Sequence, residues 1–214
     1  MHADSPVNDT GRGPALRALC REVGACFASE VAADTGGRWA TGMGPVDASG
    51  GGGLPRGTLS EVVEARPGCG GTLLLHQLLA RSRAEGRYTA LVDGADGFAP
   101  DCAPPGDLRQ LYWVRCGGTD TALRAAELLV ADGNFFLLMV DLRGLESREL
   151  DRVPGTRWYR LQRAARRSGC LALVLGRRAV AVSAVFRVRL SRPFGLAALE
   201  RSRASVCEEV WVES

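Results

Sequence analysis

Lysine is absent from the 214 residues, and all 27 basic side chains are arginine. Any site in this chain that needs a cation must therefore use a guanidinium, although a strong bias in codon composition would give the same repertoire. Histidine is scarce, with two copies. The seven cysteines (Cys20, Cys26, Cys69, Cys102, Cys116, Cys170, Cys207) are odd in number, scattered and never spaced C-x-x-C. That pattern argues against a zinc site and a disulfide framework, and the cysteines read as reduced thiols. No stretch reaches the ~18 apolar residues of a membrane span. The opening "MHADSPVNDTGRGPALR" lacks the charged start and apolar middle of a secretory signal. The expectation is a cytoplasmic protein with no membrane contact.

What is present describes an ordinary globular chain, 46% hydrophobic and 24% charged with a net charge of +3. The charge is uneven: from Arg152 onward thirteen arginines face four acids, Glu200, Glu208, Glu209 and Glu213. Such a basic part suits a nucleic acid or an acidic partner.

Residues 1–13 are polar and read as a disordered tail. In 14–31, Leu16, Leu19, Cys20, Val23 and Phe27 recur at helical spacing and predict an amphipathic helix. Residues 32–57 read as a glycine-rich linker and entry to the core, a tether that lets the helix pack on its own sheet or on a partner. From 58 to 214 apolar strands alternate with helices: "TLSEVV", "YTALVD", "LYWVR", "FFLLMVDL" and "CLALVLG" are separated by "TLLLHQLLARSRAEG", "TALRAAELLVADG" and "TRWYRLQRAARRSG". The alternation predicts an α/β fold, a mainly parallel twisted sheet with helices on both faces. "AVFRVRLSRP" and "EEVWVES" alternate apolar with polar residues, which predicts antiparallel edge strands near the C-terminus.

Ligands of open parallel sheets collect at the carboxyl ends of the strands. Here one strand runs into "EARPGCGGT", two end in Asp93 and Asp141, and another runs into Arg177 and Arg178. A glycine loop beside a strand-terminal aspartate is the arrangement of a phosphate and magnesium site. The ordered set "ATGMGPVDASGGGGLPRGTLSEVVEARPGCGGTLLLHQLLA", "RYTALVDGADGFAP", "NFFLLMVDLRGL", "CLALVLGRR" and "AVFRVRLS" resembles the ATPase core of the RecA recombinase over residues 38–192. "GGLPRG" is its most specific piece.

The departures from that pattern are specific. Against G-x-x-x-x-G-K-[ST] stand Ala65, Arg66, Pro67, Gly68, Cys69, Gly70, Gly71 and Thr72. Gly71 takes the place of the phosphate-binding lysine, while Thr72 keeps the magnesium-binding hydroxyl. The place of the catalytic glutamate is Ala95, and the adjacent Asp96 would point elsewhere. The region of the second DNA loop is cut to "RRAVAVSA". Without the lysine a polyanionic transition state loses its main counter-charge. The expectation is therefore no catalytic residues, no metal, no binding of ATP with magnesium and no hydrolysis.

Within the RecA-like superfamily "RPGCGG" before a leucine-rich helix, with a short C-terminal part, is similar to the degenerate loop of the ImuA branch. That resemblance implies a catalytically inactive RecA homologue, an adaptor in SOS-induced mutagenic translesion synthesis. Its partners would be RecA and ImuB, an inactive Y-family polymerase homologue, with an error-prone DnaE-type polymerase reached indirectly. The setting would be the bacterial cytoplasm, nucleoid-associated when engaged, with DNA contact weak or indirect. The alternatives are a divergent RecA-like ATPase using Arg66, Thr72 and Asp141, or a nucleotide-sensing recombination mediator.

Other residues carry two readings each. Asp93 and Asp141 are either relics of a metal site or carboxylates that cap helices and order loops. Cys69 is either a thiol activated before a helix or a small buried hydrophobe. Arg157, Arg160, Arg163 and Arg167 share one helix face next to Trp158 and Tyr159, a surface for phosphates, bases or an acidic partner, or simply for solvent. Arg177 and Arg178 are candidates for a retained weak DNA contact. Leu16, Leu19, Val23 and Phe27 are candidates for docking on a RecA protomer.

Overall fold

A computed structural model describes residues 37–213. The expected tail and helix of residues 1–31, with Leu16, Leu19, Val23 and Phe27, lie outside the described residues.

Strands β1 (Arg38–Trp39) and β2 (Leu54–Pro55) pair antiparallel, with the short helix α1 (Gly44–Ser49) between them. This glycine-rich stretch is folded against the core, because Trp39, Met43, Val46 and Leu54 are apolar enough to be buried there. Its glycines permit close approach: a Cβ on Gly53, at φ 122°, would lie 2.2 Å from the Trp39 carbonyl oxygen.

The chain then alternates β3 (Leu59–Glu64), α2 (Gly71–Ala84), β4 (Thr89–Asp93), β5 (Leu111–Arg115), α3 (Thr119–Asp132) and β6 (Leu137–Asp141). It continues through α4 (Ser147–Asp151), α5 (Gly155–Ser168), β7 (Leu171–Gly176), β8 (Phe186–Leu190), α6 (Arg203–Cys207) and β9 (Val212–Glu213). Seven strands form one sheet in the order β5-β4-β6-β7-β3-β8-β9. The expected antiparallel pairing near the C-terminus is that of β8 with β9. Strand β8 itself runs parallel to β3 and continues the parallel sheet.

Alternate residues of the buried strands feed two cores, as a period of two requires. Leu91, Met139 and Leu173 meet Leu74, Leu75 and Leu78 of α2 on one face. Val92, Val140 and Val174 meet Leu123 of α3 and Trp158 and Leu161 of α5 on the other. Helices therefore cover both faces, and β3, β4, β6 and β7 all end at the same rim.

Candidate functional site

That rim holds an ion cluster centred on Arg143, two residues past the end of β6. The Arg143 guanidinium donates to Asp141 through Nε (2.9 Å) and Nη2 (2.6 Å), a two-point pair that matches the planar fork to the carboxylate. Its Nη1 donates to Glu64 Oε2 at 3.0 Å and to the Thr72 hydroxyl at 3.1 Å. Arg177, following β7, adds a second donor to Glu64 Oε2 at 2.9 Å. Glu64 in turn turns its other oxygen to the backbone N–H of Gly71, the first residue of α2, at 3.2 Å. Unpaired N–H groups and the helix dipole make such an N-terminus an anion site, and here the chain supplies the anion itself.

The cluster is shielded from water, with the side chains of Glu64 and Arg143 only 3% and 11% exposed. Burial alone would push the Arg143 guanidinium toward deprotonation. The bonds and charges of Asp141 and Glu64 outweigh it and hold its pKa above the ordinary arginine value. The arginine is thus a fixed cation.

This geometry explains the residue at 71. A Cβ there would lie 2.6 Å from Arg143 Nη1 and 2.8 Å from Glu64 Oε2, so any larger side chain meets the ion pair. The groups that would hold a nucleotide with magnesium in a phosphate loop are taken: the Thr72 hydroxyl and both Asp141 carboxylate oxygens lie on Arg143. A cavity of about 320 Å³ remains beside them, lined in part by Pro67, Gly68, Ala95 and Arg177.

The other loop residues divide by burial. Ala65 donates its N–H to the Leu190 carbonyl, Arg66 and Pro67 are exposed, and Gly68 accepts from Phe194 N–H at 2.9 Å. Cys69 is buried in the core, where it packs as a small hydrophobe. Gly70 takes φ 106° at the entry to α2. Asp93 accepts from the N–H groups of Gly97 and Phe98, both at 2.9 Å, and from Trp113 Nε1 at 3.3 Å, so it orders the loop after β4. Asp96, at φ 53°, faces Arg115 at 3.8 Å rather than the cluster.

The arginines singled out in the sequence are not equivalent. Arg177 belongs to the cluster, and Arg178 donates to the Ser147 carbonyl and to Asp151. On α5, Arg157 donates to Asp120 at 2.6 Å and Glu127 at 3.0 Å, and Arg160 also reaches Glu127. Trp158 is buried and belongs to the core, so it is not part of the arginine face. Arg163 and Arg167 are exposed, as is Tyr159.

Glu64 and Arg143 escaped sequence reasoning, as did Glu61, fully buried in β3. Glu61 accepts from Val180 and Ala181 N–H at 2.6 and 2.9 Å and from Arg187 Nε at 2.6 Å. Two carboxylates in a strand buried along its length were the available signal, since each needs a cation or several donors.

Beside the loop a groove of about 590 Å³ is bordered by Leu73, Phe194 and Val206. A turn of 3₁₀ helix, Leu196–Glu200, lies on its rim. With three residues per turn it lines up Leu196 and Leu199, which are 85% and 83% exposed. Among the described residues no helix is long and apolar enough to cross a membrane.

No family model matches the chain, and no curated protein does. Among solved structures it is similar to the RadB recombinase, with a TM-score of 0.57 and 20% identity over 72% of this chain and 83% of that one. The chain has a RecA-like fold.

Proposed function

We propose that this chain is a catalytically inactive member of the RecA-like group that acts through protein contacts, as an ImuA-like adaptor in mutagenic translesion synthesis. The observation that carries the inactive reading is the saturation of Asp141, Thr72 and Glu64 by Arg143. In a phosphate site the loop hydroxyl and the strand-terminal aspartate hold magnesium; here Arg143 takes both Thr72 and Asp141, and Glu64 is the anion at the start of α2. Phosphoryl transfer needs a positioned metal and a group to orient the attacking water, and Ala95 has no side-chain oxygen to offer.

Protein contact is supported by the exposed Leu196 and Leu199, with Trp211 58% exposed beyond them. Large apolar side chains kept in water on one stretch mark association surfaces. In this reading the glycine loop is a rigid scaffold beside the contact surface, and the partners are RecA and an ImuB-like polymerase homologue.

The test is calorimetric titration of the full chain with ATP and magnesium, then with RecA and with the ImuB-like protein. The expected result is no heat from nucleotide and saturable binding of a protein partner with or without ATP. Nucleotide binding that Asp141→Ala abolishes would overturn the inactive reading in favour of a sensor or an enzyme. Failure of both proteins to bind would overturn the adaptor reading.

A further inference from the structure

Helix α5 carries five arginines, Arg157, Arg160, Arg163, Arg166 and Arg167, and no acid. The structure sorts them. Arg157 and one side of Arg160 are neutralised by Asp120 and Glu127 of the neighbouring α3. Among the described residues Arg163, Arg166 and Arg167 have no carboxylate partner, and all three are exposed. Tyr159, 60% exposed, stands one turn before Arg163 on the same face.

Arg166 and Arg167 lie in the last turn, where the helix dipole favours them. Arg163 gains nothing there, and like charges three and four residues apart disfavour the helix. Because the chain uses arginine for every basic position, the choice of arginine carries no information; the position of these three, and the aromatic ring among them, does. Trp158 at the adjacent position is buried, so Tyr159 is the single ring that α5 offers to a flat partner.

We infer that the exposed face of α5, Tyr159 with Arg163, Arg166 and Arg167, binds a single strand of nucleic acid, the arginines on phosphates and the tyrosine ring under a base. Cationic side chains tracking a backbone with an interleaved aromatic platform are the elements of sequence-tolerant strand binding. The face lies apart from the rim cluster, where Arg177 and Arg178 are held by internal partners. Strand binding on α5 is therefore independent of whether the rim takes a nucleotide.

The experiment is fluorescence anisotropy of a labelled oligothymidylate of about twenty nucleotides with the full chain, repeated across a salt series. The unmodified chain is expected to bind at low salt, weakening as salt rises. Changing Arg163, Arg166 and Arg167 together to Ala is expected to weaken binding about tenfold or more and to flatten the log–log salt slope by about 2, near 0.7 for each phosphate that is no longer neutralised. Tyr159→Ala is expected to lower affinity by about five- to a hundred-fold with the slope unchanged. A control triple, Arg109, Arg124 and Arg148 to Ala, removes the same charge elsewhere and is expected to change little. Circular dichroism and thermal unfolding check that the surface variants remain folded. No binding by the unmodified chain at about 50 mM salt, or equal losses in the two triples, would overturn the inference. So would an oligoglutamate that competes as well as the oligonucleotide, which would make the face a docking site for acidic protein.

Discussion

The Arg143 guanidinium grips the Asp141 carboxylate two residues before it at two points, 2.9 and 2.6 Å, and closes the carboxyl end of β6 with a fixed positive charge. The same arginine reaches Glu64 at the end of β3, so one side chain ties two strands to the start of α2 through Gly71. Removing it leaves two buried carboxylates short of their main counter-charge. Arg143→Ala is expected to cost about 3–5 kcal/mol of stability, the penalty for breaking a buried pair from one side. Arg143→Lys is expected to recover only part, because an ammonium cannot make the two-point contact. Urea unfolding of the three proteins checks both; an unchanged midpoint in Arg143→Ala would show that water already screens the cluster.

Gly71 is the steric counterpart of that pair. A methyl group there overlaps Arg143 Nη1 and Glu64 Oε2, and Gly71→Ala is expected to cost about 1–3 kcal/mol although alanine is the better helix former. Gly117→Ala, where an added Cβ has nothing within 4 Å, is expected to stay within about 0.5 kcal/mol. Gly71→Lys is expected to be destabilising in the same way and to leave nucleotide binding, followed with a fluorescent ATP analogue, undetectable while Arg143 is in place. Binding restored by the lysine alone would show that the ion pair yields to a phosphate.

Much of this arrangement is legible in the sequence. The strands β4, β6 and β7 are apolar runs with turn residues behind them, and parallel pairing follows from the helices between. Asp93 and Asp141 stand out because a carboxylate that ends a buried strand has to have a use. What was hidden is the pairing of Glu64 with Arg143, 79 positions apart, since no local pattern marks which of 27 arginines crosses the rim. The β8 direction was hidden for a similar reason: alternation of apolar and polar residues reports a strand with one wet face, and it carries no sign for the neighbour's direction. On α5 helical spacing puts Arg157 next to Arg160 and Arg160 next to Arg163, but it could not reveal that Asp120 and Glu127 had claimed Arg157.

Asp93 holds the loop after β4 by collecting two backbone N–H groups and the Trp113 indole. Asp93→Ala strands those donors in a largely buried setting and is expected to cost about 3 kcal/mol. Hydrogen exchange is expected to accelerate at the Gly97 and Phe98 amides, and Trp113 emission to change as the ring loses its acceptor. Asp93→Asn, keeping one oxygen acceptor, is expected to fall between. Exchange at these amides that does not change in Asp93→Ala would mean the loop is held by its packing alone.

His76, in the helix that starts at the glycine loop, is a buried group with a pH dependence of its own. Its ring is 5% exposed, its centroid lies 5.7 Å from that of Phe98, and its Nδ1 has no hydrogen-bond partner, which suits a neutral imidazole. Burial pushes its pKa below the ordinary 6.5, Arg203 and Arg143 push the same way, and Asp107 opposes them. The unfolded chain therefore binds a proton at a higher pH than the folded one. Stability is full above the unfolded value, falls as pH drops through it, and levels off below the depressed folded value. Urea midpoints at about pH 7.5 and pH 5.5 are expected to differ in that direction, and His76→Leu is expected to remove part of the difference. Because His76 sits in the helix that starts at the glycine loop, protonation there would loosen α2 against the C-terminal segment carrying Arg203. An unchanged pH profile in His76→Leu would place the titrating group elsewhere.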